Sequence, residues 1–272
     1  MSELKILSPQ EQRIAYEIDH KTRKFIHPNR AAAILQTIRE QKPQIDVERG
    51  LYFTESFRET EGEPLILRWA KALYHYAEKA TIYIDDNQLL VGRCGKQGRY
   101  GILYPELDGN IFREAIKKLP TRENSPFDIS EEDARIVAEQ IAPYWEGKTF
   151  HEDFAKALPS ETTKLTYNPG KELTSRYIVN ETASFRSSIQ WVHDYEIVMQ
   201  KGFRGIRAEM KEKLDQLDPY SPIDNTEKKP FLEAIILTCD AIVLWAHRHA
   251  EKAAQLAREE SNEVRKKELE EI

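Results

Sequence analysis

Three polar side chains, Arg186, Gln190 and His193, fall on one line of a predicted helix within the segment VNETASFRSSIQWVHDYEIVMQKGFRGI. Positions i, i+4 and i+7 of an α-helix share one face, and Phe185 and Ile189 belong to the adjacent apolar stripe. A guanidinium offers a planar fork of N–H donors and a carboxamide adds another, so Arg186 and Gln190 could bind an anion. The same line is also the ordinary polar edge of an amphipathic helix, and the spacing alone favours that structural interpretation.

The two cysteines are weaker candidates for chemistry. Cys94 lies in VGRCGKQGRYG beside Arg93 and Lys96, and nearby cations favour a nucleophilic thiolate. No histidine or acid is predicted to lie beside it, so a structural role is favoured. Cys239 lies between apolar neighbours in AIILTCDAIVLW and is predicted to be a core residue. Two lone cysteines and an N-terminus unlike a secretion signal predict a reducing, cytoplasmic compartment.

The histidines predict no metal site. His247 and His249 are two residues apart, whereas metal-binding pairs on a helix are usually spaced i and i+4. His75 is a single histidine and is expected in a core or surface role. The chemistry of this chain therefore centres on the possible anion pair.

The net charge and the hydropathy of the chain argue against two classes of binding partner. The 272 residues carry a formal charge of -6, which argues against nucleic-acid binding. No apolar run approaches the ~20 residues of a membrane span, so no membrane contact is expected.

Low glycine content and long charged-apolar stretches predict a mainly helical chain. Periodicity and capping signals predict helices over 8–42, from Asp46, and over 66–77, 110–120, 130–142, Glu181–Leu217 and 227–271. The first is interrupted at Pro28 and resumes with Asn29 as a cap, and Ser130 is the N-cap of the helix over 130–142. The helix Glu181–Leu217 has a weak spot at Gly202 and Gly205.

One β-hairpin is predicted within this helical pattern. β-Forming residues 81–84 precede turn chemistry at Asp86 and Asn87, and 89–92 forms the return strand. The following QGRYGILYPELDG is predicted to be a loop. The last residue, Ile272, continues the apolar register without a C-capping signal, so a longer parent protein is expected.

Several blocks, in the same order as in a known family, resemble glycyl radical enzymes of the pyruvate formate-lyase-like type. They are DVERGLYFTESFRETEGEPLILRWAKALYHYAEKATIYIDDNQLLVG, PFDISEEDARIVAEQIAPYWEGKT and FLEAIILTCDAIVLWAHRHAEKAAQLAREE, and the resemblance spans residues 8–272. It implies the N-terminal portion of a ten-stranded α/β barrel in an anaerobic homodimer. It also implies a glycyl radical installed by a radical S-adenosylmethionine activating enzyme as partner.

The blocks around Arg186 are most similar to the family members that cleave the C–S bond of isethionate, giving acetaldehyde and sulfite. In those enzymes an arginine and a glutamine four residues apart grip the sulfonate, and Arg186 and Gln190 fill the two positions here. A charge-assisted fork with an amide donor suits a permanent anion. Dihydroxypropanesulfonate would use the same pair, an arginine would repel choline, and glycerol or hydroxyproline gives less reason for the pair.

The chain departs from the family in lacking its radical residues. The family's thiyl cysteine lies in a Cys-x-Glu motif, but Cys94 is followed by Gly95-Lys96 and Cys239 by Asp240-Ala241. The resemblance therefore implies that 1–272 is the N-terminal third of such an enzyme, without the glycyl radical region. Alone it would be inert, with no catalytic residue and no bound metal or cofactor. A non-catalytic helical interaction protein is the alternative.

Overall fold

A computed structural model of the chain describes residues 28–96, 98–107, 116–124, 126–149, 153, 156–161 and 193–272. This part of the chain is mainly helical, as predicted, and it also contains two short strands. In order, its elements are α1 Pro28–Glu40, β1 Gln44–Asp46, α2 Glu48–Glu59, α3 Leu65–Lys79, β2 Tyr100–Ile102, a 3₁₀ turn Leu119–Thr121, α4 Glu131–Ile136, a π turn Val137–Ile141, α5 Ala142–Trp145, α6 Tyr195–Asp215, a π turn Asp224–Lys228, α7 Lys229–Glu259 and α8 Glu263–Glu271.

Local capping signals are confirmed where they were strongest. Ser130 caps α4, since its Oγ accepts a hydrogen bond of 3.0 Å from the backbone N–H of Asp133. The helix predicted over 130–142 continues to Trp145, although a π turn divides it into α4 and α5. The predicted weak spot is confirmed at Gly202, which is non-helical inside α6, but it is wrong at Gly205, which has helical geometry.

Two short strands were missed. Asp46, predicted to begin a helix, is the last residue of β1, and α2 begins at Glu48. The predicted loop contains β2, and the two strands pair in parallel with Ile45 opposite Gly101. Strands of three residues are too short to show an alternating pattern, and their partners are distant in sequence.

The predicted hairpin over 81–92 is wrong as a pair of strands, although its turn forms. The N–H of Gln88 donates to the carbonyl of Asp85 at 3.0 Å, and the N–H of Asn87 donates to the Asp85 carboxylate at 2.9 Å. Arg265 of α8 donates to the carbonyls of Asp85 and Gln88 at 2.9 and 3.0 Å. A helix side chain thus binds backbone groups that a strand ladder would have used.

Three predicted helix boundaries also need correction. α1 begins at Pro28, one residue before the proposed cap, and ends at Glu40, before Pro43. The pattern over 227–271 is two helices, because the Asn262 side chain accepts from the N–H groups of Val264 and Arg265 and starts α8. Of the helix predicted over 110–120, only residues from 116 are described, and they form a turn followed by the 3₁₀ turn.

The larger core lies between α2, α3 and the α4–α5 region. Its buried aromatic and aliphatic residues include Phe53, Phe57, Val137 and Trp145. α7 packs along α3, where the rings of Tyr76 and Trp245 stack with centroids 5.4 Å apart. A second, smaller cluster joins Ile84 to α7 and α8 through Ala253, Ala257 and Leu269.

The helical region Asp224–Glu259 corrects the expectation that no apolar stretch is long enough to cross a membrane. Among the described residues, this one helical region is long and apolar enough to cross a membrane, judged by length and composition alone. The mean hydropathy of its most apolar stretch is 1.5. Core helices pass the same test. Here Asp240 pairs with Arg207 of α6 and Trp245 stacks on Tyr76 of α3, so other parts of the protein cover some of its surface.

Candidate functional site

The predicted anion-binding pair, Arg186 and Gln190, lies outside the described residues, so its sulfonate role remains a prediction. The third residue of the line, His193, is exposed and precedes α6 in a non-helical conformation. The Asp194 side chain accepts from the N–H of Ile197 at 3.1 Å and starts α6 there. The prediction of one helix continuing from Glu181 through His193 is therefore wrong at this point.

α6 is held against α7 by two contacts in its second part. Arg207 Nε donates to Asp240 Oδ1 at 2.6 Å, and Arg204 Nη2 lies 3.1 Å from His247 Nε2. Arginine can only donate, so His247 Nε2 is the acceptor side of this contact. These contacts join α6 to α7 at Arg204 and Arg207.

The Cys94 loop is organised as a structural element. Cys94 is half-buried and packs against the larger core. Arg93 donates to the carbonyl of Gly98, while Lys96 Nζ lies 3.8 Å from Glu48 Oε1 and 4.0 Å from Asp133 Oδ1. The neighbouring cations thus interact with other groups, which agrees with the structural role favoured for this cysteine.

A buried carboxylate, Asp46, ties this loop to the start of α2. It accepts from the N–H of Glu48 at 2.8 Å and from the N–H of Lys96 at 2.9 Å. Burial raises the pKa of Asp46 above its ordinary value, and the two N–H donors oppose that rise. Sequence reasoning missed this role, which joins residues 50 apart in the chain.

The remaining thiol and histidine positions support packing roles. Cys239 is buried, as predicted, and burial raises the pKa of its thiol. His249 is 2% exposed, with Nδ1 2.8 Å from the carbonyl of Trp245. Across the described part of the chain, no group of three or more His, Cys, Asp or Glu side chains could hold a metal ion.

Comparisons with known proteins identify the family. The pyruvate formate lyase-like family model matches residues 22–272. Among curated relatives, isethionate sulfite-lyases from Oleidesulfovibrio alaskensis and Bilophila wadsworthia are 59% and 57% identical to this chain, each over 97% of it. The chain spans 32% of the length of these relatives.

Solved structures agree with the family model. The glycerol-bound B12-independent glycerol dehydratase from Clostridium butyricum superimposes with a TM-score of 0.78 at 32% identity, covering 89% of this chain and 30% of that one. Hydroxyproline dehydratase from Clostridioides difficile gives a TM-score of 0.72 at 28% identity, covering 88% and 29%. This chain therefore belongs to the pyruvate formate lyase-like family of glycyl radical enzymes.

Proposed function

We propose that this chain is the N-terminal third of a glycyl radical lyase that cleaves the C–S bond of isethionate to give acetaldehyde and sulfite. The supporting observation is that this chain has much higher sequence identity to one group of family members than to others. Four isethionate sulfite-lyases are 57–59% identical to the chain, whereas a trans-4-hydroxy-L-proline dehydratase is 31% and a (2S)-3-sulfopropanediol dehydratase 26% identical. Dihydroxypropanesulfonate is therefore the less favoured sulfonate substrate.

In this proposal Arg186 and Gln190 hold the sulfonate. The guanidinium supplies charge and two N–H donors to the sulfonate oxygens, and the amide N–H₂ supplies a further donor. A sulfonate stays ionised at any physiological pH, so the pair needs no proton transfer to bind it. Exclusion of water in a closed cavity would strengthen both contacts.

The radical chemistry belongs to the rest of the enzyme. In that part, a glycyl radical installed by a radical S-adenosylmethionine activating enzyme would supply the hydrogen-abstraction chemistry, through a cysteine that becomes the thiyl. Neither cysteine here suits that role, because Cys94 packs against the larger core, Cys239 is buried, and neither begins a Cys-x-Glu motif. The chain contributes a substrate wall to a ten-stranded α/β barrel, in a proposed cytoplasmic, anaerobic homodimer.

A substrate panel on the complete activated enzyme tests the proposal. Isethionate, dihydroxypropanesulfonate, choline, glycerol and hydroxyproline are compared by kcat/KM, with acetaldehyde and sulfite measured as products. We expect isethionate to be the preferred substrate. Preference for any of the other four would contradict the assignment.

Substitution of the sulfonate pair tests the assigned residues. Loss of a buried charged hydrogen bond costs about 2–4 kcal/mol, so Arg186→Ala should lower kcat/KM by roughly 30- to 1000-fold. Gln190→Ala should cause a smaller loss, about 1.5–3 kcal/mol, because it removes one neutral donor to the charged sulfonate and leaves the guanidinium fork in place. His193→Ala is the matched control, because this exposed residue lies before α6 and should change kcat/KM less than about twofold.

A further inference from the structure

Helices α1 and α8 lie at opposite ends of the described chain, and both have little apolar support. Within α8, Leu269 is the buried residue, and it packs in the smaller core cluster. In α1, the apolar side chains of Ile34, Leu35 and Ile38 remain 41%, 52% and 45% exposed. Because apolar burial is the main source of local stability, other contacts must help to hold these two helices in place.

A cluster of three charged side chains, Arg30, Arg265 and Glu268, supplies such contacts. Arg30 Nη2 donates to Glu268 Oε1, and Arg265 Nη1 donates to Glu268 Oε2 at 3.0 Å, so each carboxylate oxygen accepts from one guanidinium. The three side chains are only 11–16% exposed. Partly buried charges are screened less than surface charges, so these charge-assisted hydrogen bonds should contribute more than exposed ion pairs do.

The same cluster joins three segments that are distant in sequence. Arg265 of α8 also donates to two backbone carbonyls of the 85–88 turn, as described above. Arg30 adds the first turn of α1, which lies 238 positions before Glu268 in the chain. Loss of the Glu268 charge would therefore weaken contacts of all three segments at once.

We propose that Arg30, Arg265 and Glu268 form a clasp, and that its release opens α1, α8 and the 85–88 turn as one cooperative unit. Regions with few buried apolar contacts open at a lower free energy than the core of the same protein. Neutralisation of Glu268 leaves two guanidinium groups without the carboxylate that they share. Helices α2 and α3, which form much of the larger core, should stay closed during this opening.

Hydrogen–deuterium exchange of the complete enzyme before activation, followed by mass spectrometry of its peptides, tests the clasp. Glu268→Gln removes the shared charge at nearly constant size, and Glu270→Gln makes the same change at an exposed position of α8. We expect Glu268→Gln to speed exchange about 10- to 100-fold in peptides from α8, α1 and the 85–88 turn, because hydrogen bonds to charged groups are the stronger ones. Peptides from α2 and α3 should stay within about twofold of wild type, as should all peptides of Glu270→Gln.

A second pair of variants acts from the α1 side of the clasp. Arg30→Met removes one donor to Glu268, and Arg39→Met is its matched control at an exposed position of α1. Coupling between two sites is reciprocal, so Arg30→Met should speed exchange in α8 as well as in α1, whereas Arg39→Met should leave α8 unchanged.

Three results would overturn the inference. The first is faster exchange confined to the helix that carries the substitution, or no change in α1 when Glu268 is replaced. The second is an equal effect of Glu270→Gln. The third is faster exchange that extends equally through α2 and α3, since that would show global destabilisation instead of a separate unit.

Discussion

Replacement of Arg49 by alanine should be among the most damaging changes in the described part of the chain. Its guanidinium donates to both carboxylate oxygens of Glu106, at 2.7 and 3.2 Å, and to the carbonyl of Leu103 at 3.2 Å. The guanidinium carbon also lies 3.9 Å from the ring centroids of Phe53 and Tyr104. The side chains of the ion pair are only 12% and 7% exposed.

The structure sets the magnitude of the effect. Removal of one partner from a buried ion pair leaves the other charge without compensation and costs about 3–5 kcal/mol. The three hydrogen bonds and two ring contacts cannot be summed independently, because they share one guanidinium. We therefore expect Arg49→Ala to lower the free energy of unfolding by about 3–5 kcal/mol.

Urea denaturation followed by tryptophan fluorescence measures this loss, and a double-mutant cycle identifies its cause. In this cycle, Arg49→Met alone and Glu106→Leu alone should each be strongly destabilising. The variant that carries both changes should lose less free energy of unfolding than the sum of those two losses. A loss below about 1 kcal/mol for Arg49→Ala, or additive single changes, would refute the reasoning.

Two further predictions concern a buried hydrogen bond and a pH effect. Thr54→Val removes the acceptor of the 2.8 Å bond from the Trp145 indole and should cost about 1–3 kcal/mol in urea denaturation; a neutral result would contradict this. At Glu268, burial raises the carboxyl pKa but hydrogen bonds from Arg30 and Arg265 outweigh it, so the pKa lies below the ordinary 4.5. Its stabilisation is then present above pH 4.5 and is lost as the pH falls through the lowered pKa, so the difference in thermal midpoint between wild type and Glu268→Gln should shrink from pH 7 to pH 3. A constant difference would contradict that sign.

Local signals predicted the elements that depend on nearby residues. Helix α3 follows its apolar period, Ser130 caps α4, and Gly202 marks the weak spot in α6. Asp194 is an N-cap that the sequence also displays, two residues before Glu196, and it could have been recognised as the start of α6.

Contacts between distant residues could not be predicted in this way. The β1–β2 pairing and the Arg265 contacts with the 85–88 turn join segments that no periodic pattern connects. Local spacing was also insufficient for the anion pair. Its spacing favoured an ordinary helix edge, and only the family resemblance assigned it to a sulfonate. Chemistry that needs residues from the remainder of the enzyme has no local signature in this chain.

A crystal structure of the complete enzyme with isethionate tests the central claim most directly. The account predicts sulfonate oxygens within about 2.7–3.2 Å of both the Arg186 guanidinium and the Gln190 amide nitrogen, in a cavity closed to solvent. Side chains that point into separate pockets or into bulk water, with the sulfonate held elsewhere, would contradict it.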